Sequence, residues 1–277
     1  MSIRSSAKTQ WTPYPPLDAL LADLLSGSRA ILGQDFTGLY LHGSLALGDF
    51  DSLRSDVDFL VVTERPVPEE RLPALAALHT RLRSAAEGTQ WVDKLEGSYI
   101  PRGALRHFQP RRTGGIDDTV FPALRVDGSF ELDWHGSEWI LQSHVLRERG
   151  IVIAGPPPRE FMDPRRPDEL RHAVAALLSE WWQPQLEDPH LLADPAYCAY
   201  AVLTMCRMHY TLQHGALVSK PAAARWAVER LDGRWRGLIA RAEAWLPGEA
   251  LNDLDETLAF VRATLEYARR LVVNVSR

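Results

Sequence analysis

Two aspartates separated by one valine, Asp56 and Asp58, stand at the head of an uninterrupted apolar run, Phe59-Leu-Val-Val62. A strand that is apolar at successive positions is buried on both faces, as in a sheet covered by helices. Residues two apart on a strand share a face, so the two carboxylates lie side by side at its mouth. Like charges that close repel unless a divalent cation neutralises them, and oxygen-only ligands suit Mg²⁺ bridging to phosphates. About a dozen residues upstream a second apolar run, Thr37-Gly-Leu-Tyr-Leu-His42, ends in Gly43-Ser44. Absent or small side chains there let backbone N–H groups approach an anion. A phosphate-cradling turn followed by a paired metal-binding carboxylate is what transfer of a nucleotidyl group requires.

The rest of the chain supplies the cover. Residues 17–32 carry apolar positions at helical spacing and stop at Gly33. Leu72, Leu75, Leu78 and Leu82 mark another helix, and residues 91–100 alternate as a third strand halted by Pro101. The stretch 103–137 has no clean period. It reads as loop with one or two short strands and holds a basic cluster, Arg106, Arg111 and Arg112, which is either solvated or draws in an anionic partner. Ser137 stands where the N-cap of a further helix would fall. Gly155-Pro-Pro-Pro158 is the strongest break. Beyond it, helical stripes run through Leu170–Trp181, Tyr197–His214, Ala222–Leu231 and Leu254–Ala268. The expectation is an α/β domain with a mixed sheet and flanking helices over residues 1–155, then an all-α helical bundle over 156–277.

A net charge of −5 argues against a general nucleic-acid binder, while 45% hydrophobic and 24% charged residues suit a globular chain with a sizeable core. No apolar run approaches the ~20 residues of a membrane span, and the first residues lack the apolar core of a secretory signal. Cys198 and Cys206 share one predicted helix about 12 Å apart along its axis, too far for a disulfide. These features predict a cytoplasmic protein. The nine histidines have no cysteine partner and no helical spacing for zinc, and His42 reads as a strand residue.

Gly43-Ser44, Gly48 and Asp56-Val-Asp58 before the hydrophobic strand resemble the signature of the DNA polymerase beta-type nucleotidyltransferase superfamily. The whole chain is similar to one branch, the bacterial aminoglycoside adenylyltransferases that modify streptomycin and spectinomycin. That similarity extends into the helical half through Thr204-Met-Cys-Arg207-Met-His-Tyr210 and Ser219-Lys220-Pro-Ala-Ala-Ala-Arg-Trp226. It implies that Gly43, Ser44, Arg207 and Lys220 bind the nucleotide. It further implies that Asp56, Asp58 and Glu96 ligate two Mg²⁺, with Glu96 as general base, and that Trp139 packs against the acceptor. The implied reaction is transfer of AMP from ATP to a hydroxyl of a small, aminoglycoside-type molecule. The family's acid that binds the antibiotic falls on Tyr197, with Asp194 near but out of register. Adenylylation of a protein or tRNA, or a silent nucleotide-binding regulator, are the alternatives.

Overall fold

The computed structural model describes residues 10–91, 93–110 and 119–275, and the side chains only as far as Leu271. Arg111 and Arg112 of the basic cluster therefore lie outside the described residues. Helix α1 (Pro15–Leu32) starts with two prolines in its first turn, where their missing N–H groups cost nothing. Its stripe of Leu17, Leu20, Leu21 and Leu24 is fully or nearly fully buried with Leu75, Leu78 and Leu82 of α3 (Leu72–Ala85). Between these helices come β1 (Phe36–Leu41), the short α2 (Gly43–Leu47) and β2 (Val57–Thr63). After α3 follow β3 (Leu95–Pro101), α4 (Arg102–Leu105), β4 (Val120–Leu124), β5 (Phe130–Trp134), α5 (Glu138–Arg149) and β6 (Ile151–Ala154).

The strands form one mixed sheet in the order β5-β4-β3-β2-β1-β6. Only β2 and β3 run parallel, joined by the crossover through α3; the other neighbours are antiparallel. The third strand begins at Leu95 rather than at residue 91, because Trp91 is drawn into the core by rings of Tyr14 and Phe50. The stretch without a clean period contains β4, buried over Phe121–Leu124, and the edge strand β5, which is largely solvated and blurs the pattern. Strand β6 and the later helix α9 (Arg236–Ala244) went unread. Ser137 does not cap α5: its backbone is already helical, and Glu138 Oε1 accepts the Gly136 N–H at 2.7 Å instead.

Past Gly155 the chain turns helical, with α6 (Pro167–Leu177), α7 (Pro195–His214), α8 (Lys220–Arg230), α9 and α10 (Leu254–Val275) around a second core. That core also takes in Leu141 from α5, so the two halves share a seam. Arg54 ties the seam from the other side: its Nη1 donates to the Glu243 and Trp245 carbonyls at 3.0 and 3.1 Å, at the end of α9. No helix among the described residues is long and apolar enough to cross a membrane. Cys198 and Cys206 are buried and free.

Candidate active site

The site lies where β1 gives way to α2 and where β2 and β3 begin. Asp58 and Glu96 stand directly opposite each other in the parallel ladder, and Asp56 lies just before β2, one residue ahead of its first position. The three carboxylates lie near enough for Asp58 to raise both of the others, though not at metal-coordinating spacing. Among the described residues, no hydrogen bond or salt bridge reaches any of them. Glu96 and Asp56 keep contact with solvent although protein surrounds them, as expected at the floor of an open cleft. Burial and the charges of Asp58 and Asp56 push the Glu96 carboxyl up to about 7. Asp56 is likewise raised, by burial and then by Asp58, against the pull of Lys94 and Lys220.

Gly43 sits at φ +59, a backbone region that costs any other residue ~1–2 kcal/mol, and a Cβ there would run into the Asp58 carboxylate. Close approach of backbone to carboxylate is why the position is glycine. Gly43→Ala should therefore displace Asp58 as well as strain the turn, and turnover should fall more steeply than the melting temperature. Equal losses in kinetics and thermal melts would show that the glycine serves only the fold. Ser44 Oγ is buried with no partner, a hydroxyl held at the turn and not spent on the fold. His42 belongs to the turn rather than to β1: it occupies the N-cap of α2, and neither ring nitrogen has a hydrogen-bond partner.

Cations approach from the helical half. Lys220, the first residue of α8, feels the charges of Asp58 and Asp56, and burial followed by Arg207 lowers it to about 7. Its Nζ lies 3.8 Å above the Tyr200 ring. Arg207 on α7 forms no ion pair with a described carboxylate, so it is not the partner of a core acid. Tyr200 stands seven residues before Arg207 on α7, nearly two turns, and responds electrostatically to Arg207, Glu96 and Asp58. That spacing was readable in the sequence; the tyrosine's place at the seam was not.

Asp58 and Glu96 also line a cavity of about 150 Å³, together with His42, Asp133, Trp134, Glu138 and Trp139, among others. Trp139 is only 6% exposed and packs against His42 and His135, so Trp134, at 40%, is the more open aromatic wall. Burial raises Glu138. Tyr197 does not face this chemistry with a charge: its hydroxyl accepts from Trp181 Nε1 at 2.8 Å, and its ring joins Trp182 and Tyr200. Asp194 is the N-cap of α7, accepting the Tyr197 N–H at 2.9 Å. Asp133 and Trp134 escape the sequence pattern because β5 is not distinguishable there from its loop, whereas Glu138, beside Trp139 at the start of the expected helix, looks like an ordinary first-turn acid.

A mixed sheet whose strand mouths carry three acids beside a glycine-serine turn defines the nucleotidyltransferase class. Residues 28–111 match the family model for the nucleotidyltransferase domain, and residues 162–270 match that for the aminoglycoside adenylyltransferase C-terminal domain. The two matches, in this order along the chain, support an aminoglycoside adenylyltransferase-like nucleotidyltransferase. It is 23% identical over 245 residues to spectinomycin 9-adenylyltransferase of Staphylococcus aureus, covering 88% of this chain and 90% of that protein. An aminoglycoside (3'') (9) adenylyltransferase of Escherichia coli is 32% identical over 104 residues, 37% of either chain. The fold matches a crystal structure of spectinomycin adenyltransferase AAD(9) from Enterococcus faecialis with ATP and spectinomycin. The TM-score is 0.65 at 17% identity, over 90% of this chain and 98% of that one.

Proposed function

We propose that the protein transfers AMP from ATP to a hydroxyl group of an aminoglycoside-type small molecule. One observation carries this: Asp58 and Glu96 lie in register beside the Gly43–Ser44 turn, with Lys220 and Arg207 approaching from the opposite half. Residues 1–155 then form the half that carries the acids, and residues 156–277 the half that closes over the nucleotide.

In this mechanism the Gly43 turn and the Ser44 hydroxyl hold the triphosphate, and Arg207 and Lys220 add positive charge where negative charge gathers. Glu96 takes the proton from the acceptor hydroxyl, that oxygen attacks the α-phosphorus, and pyrophosphate leaves. Asp56, Asp58 and Glu96 offer only oxygen donors and have no hydrogen-bond or salt-bridge partner, which suits a hard divalent cation. Among the described residues no three acidic, histidine or cysteine side chains already stand at coordinating spacing, so the carboxylates would draw together on binding. Two Mg²⁺ held there would supply charge neutralisation at the phosphates and the acceptor oxygen.

The cavity beside Glu96 supports a cationic acceptor. Asp133 and Glu138 line it, and they make good the negative charge that Tyr197 does not provide. The direct test is pyrophosphate release with ATP and Mg²⁺ in the presence of spectinomycin or streptomycin, with mass spectrometry of the acceptor. An AMP adduct on the acceptor is expected. ATP binding without pyrophosphate release for any acceptor would make the protein a nucleotide-binding regulator instead.

A further inference from the structure

Two positions beyond Glu96 on the same face of β3 stands Ser98, and its hydroxyl belongs to a chain of hydrogen bonds that AMP transfer does not use. Ser98 Oγ and His135 Nε2 are 2.8 Å apart, and His135 Nδ1 is 2.9 Å from the Asp133 carbonyl oxygen. A carbonyl only accepts, so Nδ1 carries a proton. Burial lowers the ring to about 4 and keeps it neutral, which leaves Nε2 as an acceptor. The Ser98 O–H must then donate to Nε2. Its only hydrogen is spent, and its oxygen offers the cavity lone pairs alone.

Packing fixes this arrangement. His135 is 2% exposed, with ring centroids 5.2 Å from Phe121 and 4.8 Å from Trp139. The neighbouring walls share the polarity. Asp58, Glu96, Asp133 and Glu138 all line the same cavity and can only accept when ionised. Arg125, the cation on that wall, is bound to Asp133 at 2.9 Å and faces Glu131 at 3.6 Å. This acidic part of the cavity favours ligand groups that carry hydrogens, whereas His42, Arg125 and Gln142 supply donors elsewhere in the lining.

We propose that Ser98 is a specificity-determining residue for the acceptor, contacting one of its ammonium or hydroxyl groups through oxygen lone pairs, and that His135 is the positioning residue that keeps the serine in that state. This rests on the cavity being the acceptor site. Donor-only recognition at the floor complements the reacting hydroxyl, which gives its own proton to Glu96 on the same strand.

The test uses the full-length protein with Mg²⁺, ATP and spectinomycin or streptomycin. Ser98→Ala should raise the acceptor KM about tenfold, the loss of one hydrogen bond to a charged group, with kcat within about twofold and the ATP KM unchanged. The near-isosteric Ser98→Cys, with sulfur a poor acceptor, should move the same constant in the same direction even if the alanine variant folds badly. His135→Leu should reproduce the Ser98→Ala effect. His135→Gln can set an amide oxygen near the position of Nε2 and should restore a KM close to wild type. A wild type that turns over while both Ser98 variants keep its acceptor KM would overturn the proposal and leave AMP transfer standing. Parallel rises in acceptor and ATP KM would reduce Ser98 to a packing residue. A wild type inert with every acceptor removes the enzymatic assignment itself, and this inference with it.

Discussion

Asp58→Asn is expected to lower AMP transfer about 10³-fold, since a metal ion's charge stabilisation is worth ~4 kcal/mol or more of transition-state energy. The variant should nonetheless melt in EDTA at or above the wild-type temperature. Asp58 takes no hydrogen bond or salt bridge, lies against the Gly43 backbone, and faces Glu96 across the ladder with Asp56 beside it. Two of those neighbours are carboxylates, so neutralising Asp58 removes their repulsion while giving up only the longer-range attraction of Lys220, with which it makes no salt bridge. A ligand that binds only the folded state raises its stability with concentration, so wild-type protein should melt higher as Mg²⁺ and ATP are added. The asparagine variant should lose most of that increment. A drop in the EDTA melting temperature together with an intact Mg²⁺ increment would show that Asp58 is structural, and the metal assignment would fall.

How much of this was legible in the chain depends on what each residue needs to declare itself. Asp56 and Asp58 were readable because a fully apolar strand follows them and fixes both their face and their company. Gly43 was readable as a turn; that a Cβ would strike Asp58 required the sheet register. Glu96 came from resemblance to the family, and the register Asp58↔Glu96 is what brings it to the same place. Arg207 on an apolar helix and Lys220 at a helix start are locally unusual, but their role came from the resemblance, because nothing local says that a helix 150 residues away closes over a strand mouth. The acceptor wall was the least legible. Asp133 and Trp134 sit on β5, an edge strand of five residues none of which is buried, so it carries little periodicity. Ser98 and His135 acquire meaning only as a pair 37 residues apart, through a hydrogen bond that no single-position pattern encodes.

Glu96→Gln should suppress turnover by about 10²–10⁴, the usual contribution of a positioned proton acceptor, while sparing ATP binding. The pH dependence separates this role from a purely structural one. With its carboxyl pushed up to about 7, Glu96 is half-protonated near neutrality, and only the ionised form takes a proton. Wild-type turnover at saturating ATP should thus rise with pH on its acid limb, and Mg²⁺ beside the carboxylate should move that limb to lower pH. The glutamine variant should lose the limb. Stability runs the other way. Between the ordinary carboxyl value of 4.5 and about 7, the folded state holds a proton that the unfolded state has released. Folding stability from this group is then greatest at low pH and declines as pH climbs through that window. Above it, wild type carries a charge beside Asp58 and Asp56 that glutamine lacks, so Glu96→Gln should melt no lower than wild type at pH 8. A strained acid kept at a cost to the fold is the signature of function over stability. Retention of both the acid limb and the rate in the glutamine variant would move the proton acceptor to another residue.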